Sequence, residues 1–275
     1  MTWQRLSEQN EAYYVGLYYH LAKLRRLHYR ELIAALRVAA PASLELNRWT
    51  RIVEYRYSTE ALSAAGSLVM GGRFNIGRDL DPLVFPAFPA LYIAEDFETA
   101  YREKFGGPSR VFSKKAFTGT EFALRRPGSF TSVELVGQVA ALFDLTTTGA
   151  LRPLADVIGR FETSADLAAL AKRLGIKPPW LVTTPGNLRR TLLMPAWRGM
   201  PAQFEIPANS QVFGRLLIEA GFEGVLYPSV RGIGRCIAVF PECLSGSESF
   251  VDLADSAPAG VEISRLDSAT WRRLV

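Results

Sequence analysis

Short segments with the apolar pattern of β-strands recur along this chain, and turns or helix-like segments separate them. The strand-like segments are residues 51–57, 91–94, 121–124, 132–139, 141–145, 224–227 and 235–240. Helical periodicity lies over residues 95–105, 165–174 and 210–220, each followed directly by a glycine that favours a helix end. Strands and helices mixed in this order predict an α+β fold.

The amino-terminal region has a different pattern. Between residues 11 and 38 apolar side chains recur near helical spacing with arginines between them, which predicts one long or broken amphipathic helix that ends near Pro41. We interpret residues 1–48 as a helical extension that packs over the following domain; a dimerisation or partner-docking helix is the alternative. Residues 49–245 would form the main domain, with an insertion at 150–208 that serves as a lid or contact surface. Residues 246–275 would form a peripheral tail.

Composition narrows the class of protein. With 275 residues, 48% of them hydrophobic and 21% charged, the chain has the balance of a globular protein. The net charge of +5 comes from dispersed arginines, which argues against an extended nucleic-acid interface. No apolar run is long enough to span a bilayer, and the polar start does not resemble a secretory signal. We therefore expect a cytoplasmic protein, with export as an effector left open.

The residues that build common metal and nucleotide sites are scarce. Cys236 and Cys243 are the only cysteines, and His20 and His28 lie two helical turns apart without a third ligand nearby, so no disulfide framework or metal site is predicted. Neither a P-loop nor a dinucleotide-binding glycine motif occurs between a strand and a helix. This argues against an ATPase or a dehydrogenase. It leaves room for a nucleotide that is consumed as a substrate.

Isolated polar residues lie beside the strand-like segments. They are Arg56 in EYRYS, Arg73 in GGRFN, Tyr92 in LYIA, Glu103 in ETAYREKF and Ser229 in LYPSVR. Arginine carries a permanent positive charge and binds phosphate oxygens through two parallel hydrogen bonds. Glutamate stabilises a cationic centre or orients a hydroxyl. This set therefore points to a pocket for a phosphorylated ligand.

Each of these residues also has a simpler interpretation. Arg56 would be an exposed strand arginine, Arg73 part of a tight turn, and Glu103 one half of a surface ion pair on its helix. Tyr92 would be a half-buried strand residue whose hydroxyl finds a partner. Ser229 has neither a nearby base nor a nucleophile elbow, so we interpret it as a hydrogen-bonding residue rather than a nucleophile.

The ordered series of these pieces resembles the RES-domain family, which is named for its Arg, Glu and Ser. The pieces are Tyr55-Arg56, the turn at residues 71–75, Leu91-Tyr92, Glu103, Asp144-Leu145-Thr146 and residues 221–231. The resemblance spans about residues 50–242. It implies a fold related to ADP-ribosyltransferases, with a split mixed or antiparallel sheet, flanking helices and NAD in the cleft between two small sheets.

Members of this family are mostly bacterial toxins that degrade NAD. The resemblance therefore implies an enzyme that cleaves the nicotinamide–ribose bond by hydrolysis or phosphorolysis, with NAD as a substrate and no cofactor. Arg56 and Arg73 would hold the pyrophosphate, Tyr92 would stack on nicotinamide, Glu103 would stabilise the ribosyl cation, and Ser229 would tie Glu103 to the nucleotide. An antitoxin or immunity protein and a homodimer are the implied partners. Transfer of ADP-ribose to a macromolecule and a binding module without catalysis stay open as alternatives.

Overall fold

A computed structural model describes residues 3–106, 130–176, 181–257 and 259–275, with side chains from residue 7 onward. The strand predicted at 121–124 lies outside the described residues. The predicted amino-terminal helix is confirmed in its broken form: α1 spans Trp3–Leu27 and α2 spans Tyr29–Arg37, with His28 between them. In the part of the chain that the structure describes, no helix has both the length and the apolar character needed to cross a membrane.

The described residues form seven strands in one mixed and mainly antiparallel sheet, so the predicted α+β class is confirmed. The strands are β1 (Ala42–Glu54), β2 (Leu91–Ala94), β3 (Phe130–Asp144), β4 (Gly224–Pro228), β5 (Arg235–Val239), β6 (Phe250–Leu253) and β7 (Arg265–Leu266). The order is β1-β2-β5-β4-β3-β6-β7, and β1 also pairs with β3, so five strands close a circuit. Only β3 and β4 run parallel among these pairs. The long strands β1 and β3 pair with each other, and β3 also joins the circuit to the edge strands β6 and β7.

The other α-helices among the described residues are short and lie around this sheet. They are α3 (Ala65–Met70), α4 (Phe97–Phe105), α5 (Arg152–Ile158), α6 (Ala165–Arg173), α7 (Pro185–Leu192), α8 (Gly199–Phe204) and α9 (Asn209–Ala220). The region interpreted as an insertion supplies α5 to α8, and α1 packs on it: the Tyr14 and Phe204 rings stack at 5.3 Å. His20 Nε2 lies 2.6 Å from the carbonyl oxygen of Glu162.

Alternation along the central strands separates two apolar clusters. In β2 and β5, Leu91, Ile93, Ile237 and Val239 face a cluster shared with Trp49 and Leu135, within the strand circuit. Tyr92 and Cys236 point to the opposite face, where the helices pack. Because successive strand residues face opposite sides, the polar residues of β2 and β4 are directed toward the helical layer. The candidate site therefore lies on the helix-covered face.

Two predicted segments differ from the structure. The strand expected at 51–57 is wrong at its end, because β1 stops at Glu54 and a 3-10 helix, Tyr55–Glu60, follows. Arg56 is therefore not a strand residue. The strands predicted at 132–139 and 141–145 are a single strand, β3, because both halves pair along the length of β1.

The carboxy-terminal segment extends the edge of the sheet. β6 pairs with β3, and β7 pairs with β6. Val251, Leu266 and Leu274 of this segment are fully or almost fully buried against the cluster within the circuit. The segment thus lies at the periphery and contributes to the core. The division into extension, main domain, insertion and tail stays a prediction.

Candidate functional site

Glu103 lies in the last turn of α4. This helix begins after Asp96, whose carboxylate accepts a hydrogen bond from the Thr99 amide at 2.7 Å, and ends at Gly106 with φ +74°. An acidic N-cap and a left-handed glycine after the last turn fix both ends of a nine-residue helix. The rotation of α4 about its axis is thereby set, and Glu103 is half-buried at the edge of its packed face.

Ser229 meets Glu103 from the loop between β4 and β5. Glu103 Oε1 accepts hydrogen bonds from the Ser229 hydroxyl at 2.5 Å and from the Val230 amide at 2.9 Å. Ser229 Oγ in turn accepts from the amides of Arg231 and Gly232, at 3.1 Å and 2.8 Å. The second carboxylate oxygen, Oε2, accepts no hydrogen bond from the described residues. Within the part of the chain that the structure describes, one oxygen is thus held in place and the other is open to a ligand.

The same loop packs tightly on the first turn of α4. A Cβ at Gly234 would lie 2.4 Å from Thr99 Oγ1 and 3.1 Å from Asp96 Oδ2. Such contacts are far inside ordinary van der Waals distance, so the loop approaches the helix only because residue 234 has no side chain. This close approach brings Ser229 within reach of Glu103.

The GGRFN turn forms the opposite wall. Its ends pair through a bridge between Gly72 and Asn75, and the buried Asn75 amide group donates to the carbonyls of Ser67 and Phe88, each at 2.9 Å. Gln211 of α9 donates to the carbonyls of Gly72 and Asn75, at 3.2 Å and 2.9 Å. The turn is therefore held from three directions, and its conformation is fixed by hydrogen bonds rather than by sequence preference alone.

Arg73 projects from this turn with its side chain almost fully buried, 6% exposed. Its Nη1 donates to the carbonyl of Met194 at 2.8 Å, and Trp197 lies with its ring centroid 6.0 Å from the guanidinium carbon. No carboxylate forms an ion pair with it among the described residues. Burial lowers the pKa of Arg73, while Tyr227, Glu103 and Tyr92 oppose that shift. A buried cation whose Nε and Nη2 have no described acceptor suits an anionic ligand.

Tyr92 joins the turn to the sheet. Its hydroxyl accepts from the Phe74 amide and donates to Asn75 Oδ1, both at 2.9 Å. A Cβ at Gly72 would lie 2.4 Å from this hydroxyl, so the ring packs directly against the turn backbone. Burial raises the pKa of Tyr92 well above its ordinary value, which keeps the hydroxyl protonated as a donor. Both capacities of the hydroxyl are used within the protein.

Arg56 is the predicted residue that no described contact connects to this cluster. It lies in the 3-10 helix after β1, its side chain is 67% exposed, and it pairs with Glu54 at 2.8 Å. Its guanidinium also lies 4.7 Å from the Tyr57 ring centroid. The structure thus brings Arg73, Tyr92, Glu103 and Ser229 together and places Arg56 at the surface.

Two further residues approach the cluster. Tyr227 of β4 is buried, and burial followed by the neighbouring Cys236 thiol and Glu103 carboxylate raises its pKa. Arg231 approaches the end of α4, since its Nη1 lies 3.5 Å from the place that a Cβ on Gly106 would take. Its positive charge lowers the pKa of Arg73. Arg231, the last residue of the segment 221–231, was not among the five polar residues singled out in the sequence, and neither was Tyr227. The sequence signal for Tyr227 is strand alternation: Leu226 faces one side of β4, so Tyr227 faces the other side, which is the side of Tyr92.

The cluster as a whole combines two arginines, the buried Tyr227, the half-buried Tyr92, and a carboxylate whose Oε2 accepts no hydrogen bond from the described residues. Within the described residues, no group of three or more histidine, cysteine or acidic side chains is arranged to hold a metal ion. The arrangement can bind an anion at Arg73 and Arg231 and direct the free Glu103 oxygen at a hydroxyl or a developing positive charge nearby.

A comparison with protein-family models agrees with the resemblance found in the sequence. The RES domain family model matches residues 48–255. No curated protein matches significantly. The chain is similar to one in the crystal structure of the M. tuberculosis MbcT-MbcA toxin-antitoxin complex, with 16% identity, a TM-score of 0.42, and coverage of 89% of this chain and 96% of that chain.

Proposed function

Because the chain belongs to the RES-domain family, we propose that it is the toxin of a toxin-antitoxin pair and that it cleaves the bond between nicotinamide and ribose in NAD. The observation that carries this proposal is the geometry of Glu103. Its Oε1 is fixed by Ser229 and the Val230 amide, while Oε2 has no described partner and Arg73 lies close by. An anion-binding arginine beside a partly free carboxylate suits a substrate with a pyrophosphate and a ribose that becomes cationic.

In this reaction the bond between the ribose carbon and the nicotinamide nitrogen breaks, and its electron pair neutralises the positive charge of the nicotinamide ring. The ribose then has oxocarbenium character. Water attacks this carbon and loses a proton, which gives ADP-ribose, nicotinamide and a proton; with phosphate as the nucleophile, ADP-ribose 1-phosphate forms instead. Glu103 would stabilise the cationic sugar and hold its hydroxyls, an electrostatic contribution that the Ser229 hydrogen bond prepares in advance.

The other residues act through binding and positioning. Arg73, assisted by Arg231, would hold the pyrophosphate, and the Met194 carbonyl would share the Arg73 guanidinium with it. Tyr92 serves first as a positioning residue, since its hydroxyl is committed to Phe74 and Asn75. Stacking of its ring on nicotinamide stays a prediction. For Arg56 to reach the same ligand its ion pair with Glu54 must open, so we assign it a smaller role.

The decisive experiment follows NAD and its products over time with purified protein, with and without phosphate. Glu103→Gln is the test variant, and Glu98→Gln is the matched control, because Glu98 is on the same helix with its side chain 70% exposed. We expect wild type and Glu98→Gln to release nicotinamide, and Glu103→Gln to be slower by about a hundredfold or more. Phosphate-dependent formation of ADP-ribose 1-phosphate identifies phosphorolysis.

Intact NAD under both conditions would overturn the proposal. Radiolabel passing from NAD to a protein or nucleic acid in added lysate would instead identify ADP-ribosyl transfer. In cells, expression of the wild type should arrest growth and expression of Glu103→Gln should not. An antitoxin, the proposed partner, should relieve that arrest and abolish NAD loss in vitro.

A further inference from the structure

A cavity of about 520 Å³ lies between the amino-terminal helix and the helical layer, apart from the cluster around Glu103. Its walls come from α1 and α2 on one side and from α5, α7, α8 and α9 on the other. Protein interiors contain few voids larger than a water molecule, whereas small-molecule sites have volumes of this order. An opening of this size is therefore better explained by a ligand than by imperfect packing.

The walls of this cavity are mainly apolar. Leu154, Leu188, Leu192 and Phe213 are buried residues that line it. Apolar cavities hold water poorly and take up apolar molecules instead, because water inside would lose hydrogen bonds. The body of the ligand should therefore be a hydrocarbon chain or ring of considerable size.

Among the described residues that line the cavity, Arg25 of α1 is the one that carries a charge. Its described partner is Tyr18, whose ring centroid lies 5.3 Å from the guanidinium carbon and whose hydroxyl shares a hydrogen bond with it. No acidic side chain pairs with Arg25 among the described residues. Burial lowers the pKa of Arg25 because the charged guanidinium loses contact with water. A carboxylate beside it would offset the free-energy cost of this desolvation.

Arg25 lies where the cavity meets a neighbouring surface groove. Both openings are lined by Tyr18, Arg25, Val212 and Leu216, and the groove adds Arg26, Arg215 and the acidic Glu219. The entrance therefore carries Arg25, Arg26 and Arg215 beside Glu219, and Arg215 also pairs with Glu242 at 3.9 Å. It leads past Arg25 into the apolar interior. This arrangement suits a molecule with an anionic head and an apolar tail.

We propose that this cavity binds an unbranched aliphatic carboxylate of the fatty-acid class, with its alkyl chain among the apolar walls and its carboxylate at Arg25. The inference goes beyond NAD cleavage and is independent of it. Each added methylene contributes a similar increment of transfer free energy, so affinity should rise about tenfold for every two methylenes until the cavity is full.

The test is calorimetric titration of the full chain with octanoate, decanoate and dodecanoate below their micelle concentrations, and with decanol as the uncharged counterpart. Wild type should bind decanoate at least about tenfold more tightly than decanol, since a charge-assisted hydrogen bond is lost with the alcohol. Arg25→Gln should lose this preference and still bind decanol. Lys23→Gln is the control, because Lys23 is an exposed cation on the same helix that lines neither the cavity nor the groove, and this variant should retain the preference.

A second variant tests the place of binding. Met200→Trp enlarges a residue that lines the cavity, and it should weaken dodecanoate more than octanoate while the thermal transition confirms that the protein is folded. The proposal is overturned by absence of binding to wild type, by equal affinity for decanoate and decanol, by an unchanged preference in Arg25→Gln, or by unchanged dodecanoate binding in a folded Met200→Trp. NAD turnover is measured independently of fatty-acid binding, so either proposal can be overturned while the other stands.

Discussion

The cluster around Glu103 and the helical layer around the cavity are built on opposite principles. In the cluster, the backbone turns are held by several hydrogen bonds each, and two glycines permit contacts that no side chain would allow. In the helical layer, short helices enclose about 520 Å³ of open space behind apolar walls. The polar cluster is thus fixed by hydrogen bonds and close contacts, whereas the helical layer outside the sheet leaves open space between its helices.

The two regions meet at Met194. Its carbonyl accepts the hydrogen bond from Arg73, and the same residue lines the cavity. Residue 194 therefore belongs to both regions.

Leucine truncation should separate the two regions by stability. Leu135→Ala removes a fully buried side chain within the strand circuit, and we expect it to lower the free energy of unfolding by about 4–5 kcal/mol. Leu192→Ala, at the cavity wall, should cost only about 2–3 kcal/mol, because part of that side chain already faces a void. Denaturant unfolding measures both. Equal costs would mean that the helical layer is as tightly packed as the sheet core.

Arginine substitution should separate the buried cation from the exposed one. Arg73→Gln removes the buried guanidinium next to Glu103, and we expect kcat/KM for NAD to fall by about a hundredfold to a thousandfold. Arg56→Gln should lower it by less than about tenfold, because Arg56 is exposed and paired with Glu54. Steady-state kinetics with NAD distinguishes these outcomes. An effect of Arg56→Gln as large as that of Arg73→Gln would show that the 3-10 helix rearranges when substrate binds.

Adding one methyl group should test the close approach in the GGRFN turn. Gly72→Ala places a Cβ within 2.6 Å of the Tyr92 ring, and we expect a loss of about 1–3 kcal/mol in stability. Gly66→Ala is the control, since a Cβ there meets no atom within 4 Å and the residue lies in α3. That change should be neutral or stabilising by up to about 1 kcal/mol. Thermal or denaturant melts of both variants decide, and a neutral Gly72→Ala would mean that the turn has room to move.

The smallest expected effect concerns the ion pair between Glu95 and Arg235, at the end of β2. Hydrogen bonds from Arg235 lower the pKa of Glu95, so the carboxylate contributes stability above its unfolded pKa, and this contribution is lost as the pH falls through the folded pKa. Both side chains are partly exposed, which limits the contribution to at most about 1 kcal/mol. Arg235→Met should remove this acid dependence from the unfolding free energy. An unchanged pH profile would assign the dependence to other carboxylates.

Sequence reasoning succeeded where the pattern was local. α4 was predicted from its acidic start and following glycine, and β2, β4, β5 and α9 from periodicity and turn residues. The end of β1 was misplaced, because Tyr55 and Tyr57 have strand propensity while pairing with β3 ends at Glu54. The strand propensity of a segment does not predict where its partner strand ends.

The candidate site was predicted only as a set of residues. The contact between Glu103 and Ser229 joins positions 126 residues apart, and the role of Tyr92 in holding the turn depends on Asn75 and Phe74. Gln211, which anchors the same turn from α9, carried no signal beyond its helical position. The cavity was not predicted at all, because its walls come from separate helices whose packing is not encoded in any one segment.

The long separation between Glu103 and Ser229 has a consequence for synthesis of the chain. A ribosome completes β1, β2 and α4 well before it reaches the loop after β4, and Arg73 likewise awaits Met194, 121 residues later. A nascent chain therefore has neither a fixed carboxylate nor an anchored guanidinium until most of the protein has been translated. Any activity of this site therefore arises only after the chain has been made through Ser229, when more than four fifths of the protein exists.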